Sequence, residues 1–106
     1  MRKSIIITGL LALSTFLAGH ACAHSPFCRC IDNGNETITC TGGFSDGSSA
    51  RGAVISVKDK SGKTLLAGKM DEDSEHTFDK PKVPYTVYFD AGPGHMIEMP
   101  DDWIFE

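Results

Sequence analysis

The sequence predicts an all-β fold: a single Greek-key β-sandwich of the prealbumin or immunoglobulin type, with six to seven strands, preceded by a signal peptide. Two observations predict the sandwich. Apolar residues alternate with period two in short runs separated by turn-forming residues, and no window carries the i, i+3, i+4, i+7 spacing of an amphipathic helix. "FCRCID" and "ETITCT" flank "NGN", where Asn33-Gly34 suits the positive φ angles of a tight hairpin, so these two segments pair antiparallel. "GGFSDGSSA" reads as a loop by composition. "GAVISVKD" is a strand with Ala53, Ile55 and Val57 on one face and Val54 and Ser56 on the other; "KSGK" turns the chain and "TLLAGKM" returns. "DEDSE" is an acidic turn, "HTF" a short strand and "DKPKVP" a proline-limited connection. "YTVYFDA" directs Tyr85, Val87 and Phe89 to the core, "GPG" turns sharply, and "HMIEM" is the last strand.

Arg2 and Lys3, the apolar run Ile5 to Ala18 and the small residues of "ACA" form a secretory leader cut after Ala23. The chain divides into a signal peptide, 1–23, and a sandwich domain, 24–106. The apolar run is shorter than the roughly 20 residues that span a bilayer and no second run follows, so membrane insertion after cleavage is not expected. The periplasm is the expected location. Acylation of Cys22 would make a lipoprotein, but His20 is bulky where small residues are required. The formal net charge is −4 and becomes more negative once Arg2 and Lys3 are removed. Without clustered Lys and Arg, nucleic acid and anionic membranes are excluded as partners. Metal cations are compatible. A domain this short buries only about 60 to 65% of its unfolded surface, so a disulfide or metal staple is expected.

Processing leaves Cys28, Cys30 and Cys40, an odd number in an oxidising compartment. A loop of residues 33–35 sets Cys28 opposite Cys40; a loop of residues 34–36 sets Cys30 opposite Cys40. Either bridge stabilises the domain by about 2 to 3 kcal/mol. Cys28 and Cys30 share one strand face, which keeps the third thiol near the bridge. Three roles fit this cluster: a disulfide with an inert thiol, a soft-metal thiolate site, or redox exchange. Exchange is the weakest, because Cys-x-Cys on a strand lacks the helix N-terminus that lowers a thiol pKa.

Cleavage after Ala23 gives His24 a free α-amine, with a reference pKa near 7.7 to 8, beside an imidazole near 6.5. An amine and ring nitrogen on one residue chelate Cu(II) or Ni(II) in a square arrangement. His95, after "AGPG", is the natural second imidazole, with Asp46, Asp90 and Met96 as supplements. His76 follows Glu75 on a short exposed strand and reads as surface. Met96 and Met99 are three apart, hence on opposite strand faces, and at least one is packing.

Other matches are discounted. "GFSDG" fits the G-x-S-x-G elbow of serine hydrolases, but no helix or large α/β sheet accompanies it. "DEDSE" lacks the glycine and glutamate spacing of an EF-hand calcium loop. Asn35-Glu36-Thr37 matches a glycosylation acceptor, which a bacterial periplasm does not use. No nucleophile and base present themselves together, so an enzyme is not expected.

"HSPFCRCIDNGNETITCTGGFSDGSSARG", "VKDKSGKTLLAGKMDEDSEHTF" and "YTVYFDAGPGH" resemble small bacterial exported proteins related to carboxypeptidase-regulatory-like, prealbumin-type sandwich domains. The D-x-D-G-x-F turn of such sandwiches appears here as "DEDSEHTF", with Ser74 in place of glycine. Some relatives occur with nickel or cobalt uptake systems. The resemblance implies a seven-stranded non-catalytic sandwich with a part in metal handling. Together these features predict an exported accessory protein holding one transition-metal ion, copper, nickel or cobalt, for delivery to a metal transporter or another periplasmic protein. His24 and His95 are its nitrogen ligands, with Cys28, Cys30 and Cys40 as a staple or softer site. The alternative is a disulfide-stapled structural or interaction sandwich without metal.

Overall fold

The computed structural model describes residues 25–106; the leader assigned to residues 1–23 and the ligand candidate His24 lie outside them. Seven strands follow in order: β1 (Pro26–Asp32), β2 (Thr37–Phe44), β3 (Val54–Asp59), β4 (Thr64–Lys69), β5 (Glu75–Asp79), β6 (Tyr85–Asp90) and β7 (Met96–Pro100). They form two antiparallel sheets, β1-β2-β5 and β4-β3-β6-β7. Unlike the constant-type immunoglobulin order, the fourth strand pairs with β3 rather than β5. A short 3₁₀ turn, Asp101–Trp103, follows β7 and was not anticipated from the sequence.

Alternation builds the core as expected. Ile55, Val57, Val87 and Phe89 are fully buried, and Tyr85 nearly so, whereas Val54 points outward. Ile38, Cys40 and Phe78 face them from the other sheet, and Ile104 closes the C-terminal side. Met99 is buried and Met96 exposed, as their odd spacing requires.

The segment "GGF" departs from the loop reading, because β2 runs on through Phe44 and pairs Gly42, Gly43 and Phe44 with Cys28, Phe27 and Pro26. The two glycines are accommodated by aromatic neighbours that occupy the missing side-chain space. A Cβ at Gly42 would lie 2.8 Å from the Phe89 ring, and one at Gly43 would lie 2.8 Å from the Phe27 ring. Composition signalled a loop; cross-strand aromatic cover made a strand.

Aspartates organise the turns. The carboxylates of Asp32, Asp46, Asp59, Asp71 and Asp90 each accept the backbone N–H two residues on, at 2.8 to 3.0 Å. Asp71 also accepts from Glu75 N–H at 3.0 Å, so part of the acidic turn "DEDSE" is committed to its own backbone. Ser74, standing where the related turns have glycine, adopts the left-handed conformation at φ 60°. Its Oγ accepts the Ala50 N–H at 2.9 Å, a bond glycine could not make. Two carboxyls are held below the usual range: Asp32 by the Lys80 ammonium and the Gly34 amide, and Asp59 by the Ser61 hydroxyl and the Lys63 amide. Lowered carboxyl pKa values mean these turns hold above the ordinary carboxylate range and loosen only as acid protonates them.

Because Phe89 is fully buried and cannot retreat, Gly42→Ala is expected to destabilise the protein by about 1 to 3 kcal/mol. Urea unfolding followed by circular dichroism measures it. An unchanged midpoint would mean that the strand assignment at Gly42 is wrong.

Candidate functional site

The β1–β2 hairpin decides where the sulfurs go. Asn33 N–H donates to the Thr37 carbonyl at 3.0 Å, so the loop is residues 34–36, with positive φ at Gly34 and Glu36 rather than at Asn33. Cys30 therefore faces Cys40 and the two form the disulfide, with Cα atoms 4.0 Å apart. The Cys28–Cys40 alternative is excluded, and Cys28 is the free thiol. It sits opposite Gly42, two residues from Cys30 on the same inward face. Burial pushes its thiol pKa up to about 12.

Met99, from β7 of the opposite sheet, brings its Sδ to 3.8 Å from Cys30 Sγ. With the Cys30 sulfur held in the disulfide, this is a packing contact. Cys28, Cys30 and Met99, with Arg29, Trp103 and Ile104, line a cavity of about 180 Å³ between the edge strands β1 and β7. Three sulfur-bearing residues thus line one opening. The sequence assigned at least one of Met96 and Met99 to packing without choosing between them; that β7 lies beside β1 is a contact between sheets, which the alternation pattern does not encode.

Of the two nitrogen candidates, the described one, His95, lies elsewhere. His95 sits in the β6–β7 turn, where its N–H donates to the Gly92 carbonyl at 2.9 Å and its own carbonyl accepts from Ala91 N–H at 3.0 Å. Its ring meets Phe44 edge-on at 6.1 Å. Ser25 joins this end through two bonds: Ser25 N–H to Ser45 Oγ and Ser45 N–H to the Ser25 carbonyl, both 2.8 Å. The start of β1 and the His95 turn therefore share one end of the sandwich. Asp46 and Asp90, named as supplementary ligands, each have one carboxylate oxygen engaged by a turn amide, at 2.9 and 3.0 Å. Met96 is exposed beside His95 in the chain.

The surface reading of His76 is corrected. Its position pairs with Cys40 across β2 and β5, placing it on the inward face, and it is half-buried. The ring stacks on Phe78 at 6.3 Å and fills the space over Gly68 of β4, where a Cβ would overlap it. Glycine on the facing strand made room for an inward imidazole, a pairing between sheets that local exposure rules miss.

Among the described residues, no group of three or more His, Cys, Asp or Glu is arranged to hold a metal ion. No helix among them is long and apolar enough to cross a membrane. Comparison with protein-family models, curated proteins and solved structures finds no match.

Only thiolate reacts with alkylating reagents, and a pKa of about 12 leaves on the order of one Cys28 in ten thousand ionised at pH 8. Iodoacetamide labelling of the oxidised protein should be slow there and accelerate about tenfold per pH unit through pH 10. A plateau near pH 9, that of an ordinary thiol, would contradict the buried placement.

Proposed function

We propose that the chain is an exported, periplasmic accessory protein that carries one transition-metal ion, copper, nickel or cobalt, at the His95 end of the sandwich and passes it to a metal transporter. The observation that supports this most is the reciprocal Ser25–Ser45 pairing beside the Phe44–His95 contact. His24 directly precedes Ser25 in the chain, so the residue exposed by leader cleavage is joined to this end of the described chain. Amine and ring of His24 chelate the ion and the His95 imidazole adds a third nitrogen, a set that suits Cu(II) and Ni(II). The acidic balance of the domain favours cation approach over anion approach. The resemblance to carboxypeptidase-regulatory-like sandwiches, some found with nickel or cobalt uptake systems, supports the same assignment. The protein is not an enzyme in this account; it holds and transfers.

A second reading, a disulfide-stapled interaction sandwich without metal, is favoured by one observation. Phe27 and Ile31 project outward from β1, and Trp103 and Phe105 are more than half exposed near the C-terminus.

The substitution His24→Ala separates the two readings, because it removes the imidazole of the terminal chelate and leaves the sandwich intact. In competition titrations, Cu(II) and Ni(II) affinity should fall by about tenfold or more, roughly 1.4 kcal/mol per decade, with the melting temperature of the apoprotein unchanged. Equal affinity in both forms would remove the terminal site and leave the interaction reading.

A further inference from the structure

The sulfur edge between β1 and β7 is chemically distinct from the nitrogen end and does not depend on His24 or His95. Cys28, Cys30 and Met99 all line its cavity of about 180 Å³. The Met99 Sδ and Cys30 Sγ atoms are 3.8 Å apart. A tetrahedral soft ion with metal–sulfur bonds of roughly 2.3 Å sets two donor sulfurs about 3.8 Å apart. Van der Waals contact alone produces a similar separation. What distinguishes this pair is that a third sulfur-bearing residue, Cys28, lines the same cavity while Cys40, fully buried, does not line it.

We propose that reduction of the Cys30–Cys40 disulfide turns this edge into a three-sulfur site for a soft monovalent cation of the Cu(I) class, held by the thiolates of Cys28 and Cys30 and the thioether of Met99. Thiolate and thioether donors select Cu(I) over the harder divalent ions. A dithiol reductant supplies two electrons and two protons. The Cys30–Cys40 bond breaks, both sulfurs become thiols, and the reductant leaves as its own disulfide. On binding, Cys28 and Cys30 each lose a proton, because coordination deprotonates a thiol outright. Arg29, which also lines the cavity, places a cation near the resulting anionic sulfur set. Oxidation removes Cys30 from the donor set, so the disulfide acts as the redox gate of the site. The sandwich thus carries a divalent-ion end and, in its reduced state, a monovalent-ion edge.

The test uses the His24→Ala protein, so that metal held at the terminal chelate cannot be confused with metal held at this site. After anaerobic reduction with a dithiol, Cu(I) is titrated against a chromophoric Cu(I) chelator while the ultraviolet thiolate-to-copper band is recorded. One equivalent should bind with that band; the oxidised protein should not show it. Met99→Leu, close to isosteric, should weaken binding by about tenfold or more, and Cys28→Ser by more than that. Ag(I), which does not cycle between oxidation states here, should raise the melting temperature of the reduced protein and raise it less in Met99→Leu. If reduction alone unfolds the chain, Cu(I) should restore the β-sheet circular dichroism in the parent and not in Cys28→Ser. Binding of equal strength in parent, Met99→Leu and Cys28→Ser would overturn the proposal, as would an equal thiolate band in the oxidised protein. Failure of the reduced parent to bind one equivalent would overturn it too.

Discussion

The pairing of Cys30 with Cys40 is the constraint on which the rest of the structure depends. A cross-strand disulfide fixes the register of β1 on β2. In that register Phe27 covers Gly43, Cys28 pairs with Gly42, and Ser25 meets Ser45. A bridge from Cys28 to Cys40 would slide β1 by two residues and set Ser25 opposite Gly43 and Phe27 opposite Thr41. Gly43 would lose its aromatic cover, and the Ser25–Ser45 pair would be broken. The bridge closes a short loop and contributes about 2 to 3 kcal/mol, modest beside the whole core but decisive between these two registers.

From that register two chemically different regions follow. At one end, backbone bonds at Ser25 and a ring contact at His95 lie where the nitrogen site for a divalent ion is proposed. Along one open edge, two cysteines and a methionine gather sulfur around a cavity. Donor hardness keeps the two apart: imidazole and amine favour Cu(II) and Ni(II), thiolate and thioether favour Cu(I). Burial adds a further separation, because it holds the Cys28 thiol protonated across the ordinary pH range. The oxidised domain therefore presents a stapled, inert sulfur edge.

Strand existence was legible in the sequence because alternation is local. That Val54 and Ile55 lie on opposite faces, that Met96 and Met99 do, and that Tyr85, Val87 and Phe89 point inward are read from period two alone; which of each opposed pair is buried came from the structure. Contacts between sheets were not legible. Gly42 and Gly43 looked like loop residues, since what makes them strand residues is the Phe89 ring in the other sheet and Phe27 across the hairpin. His76 looked exposed because the space it fills is created by Gly68 on a different strand. The disulfide was narrowed to two choices by spacing, and only the loop conformation at residues 34–36 decided between them. The acidic balance pointed to cations, yet five aspartates also bind backbone amides in turns, so part of the charge serves the fold.

The central claim can be read directly from peptide masses, because Arg29 stands between Cys28 and Cys30 and no Lys or Arg lies between Cys30 and Arg51. Trypsin digestion under non-reducing, thiol-blocked conditions therefore separates the candidate partners of Cys40. The account predicts a peptide 30–51 that is two hydrogens lighter than its reduced form and a separate peptide ending at Arg29 with Cys28 alkylated. A single species joining the Arg29-terminated peptide to peptide 30–51 would contradict the register, and with it both the nitrogen end and the sulfur edge.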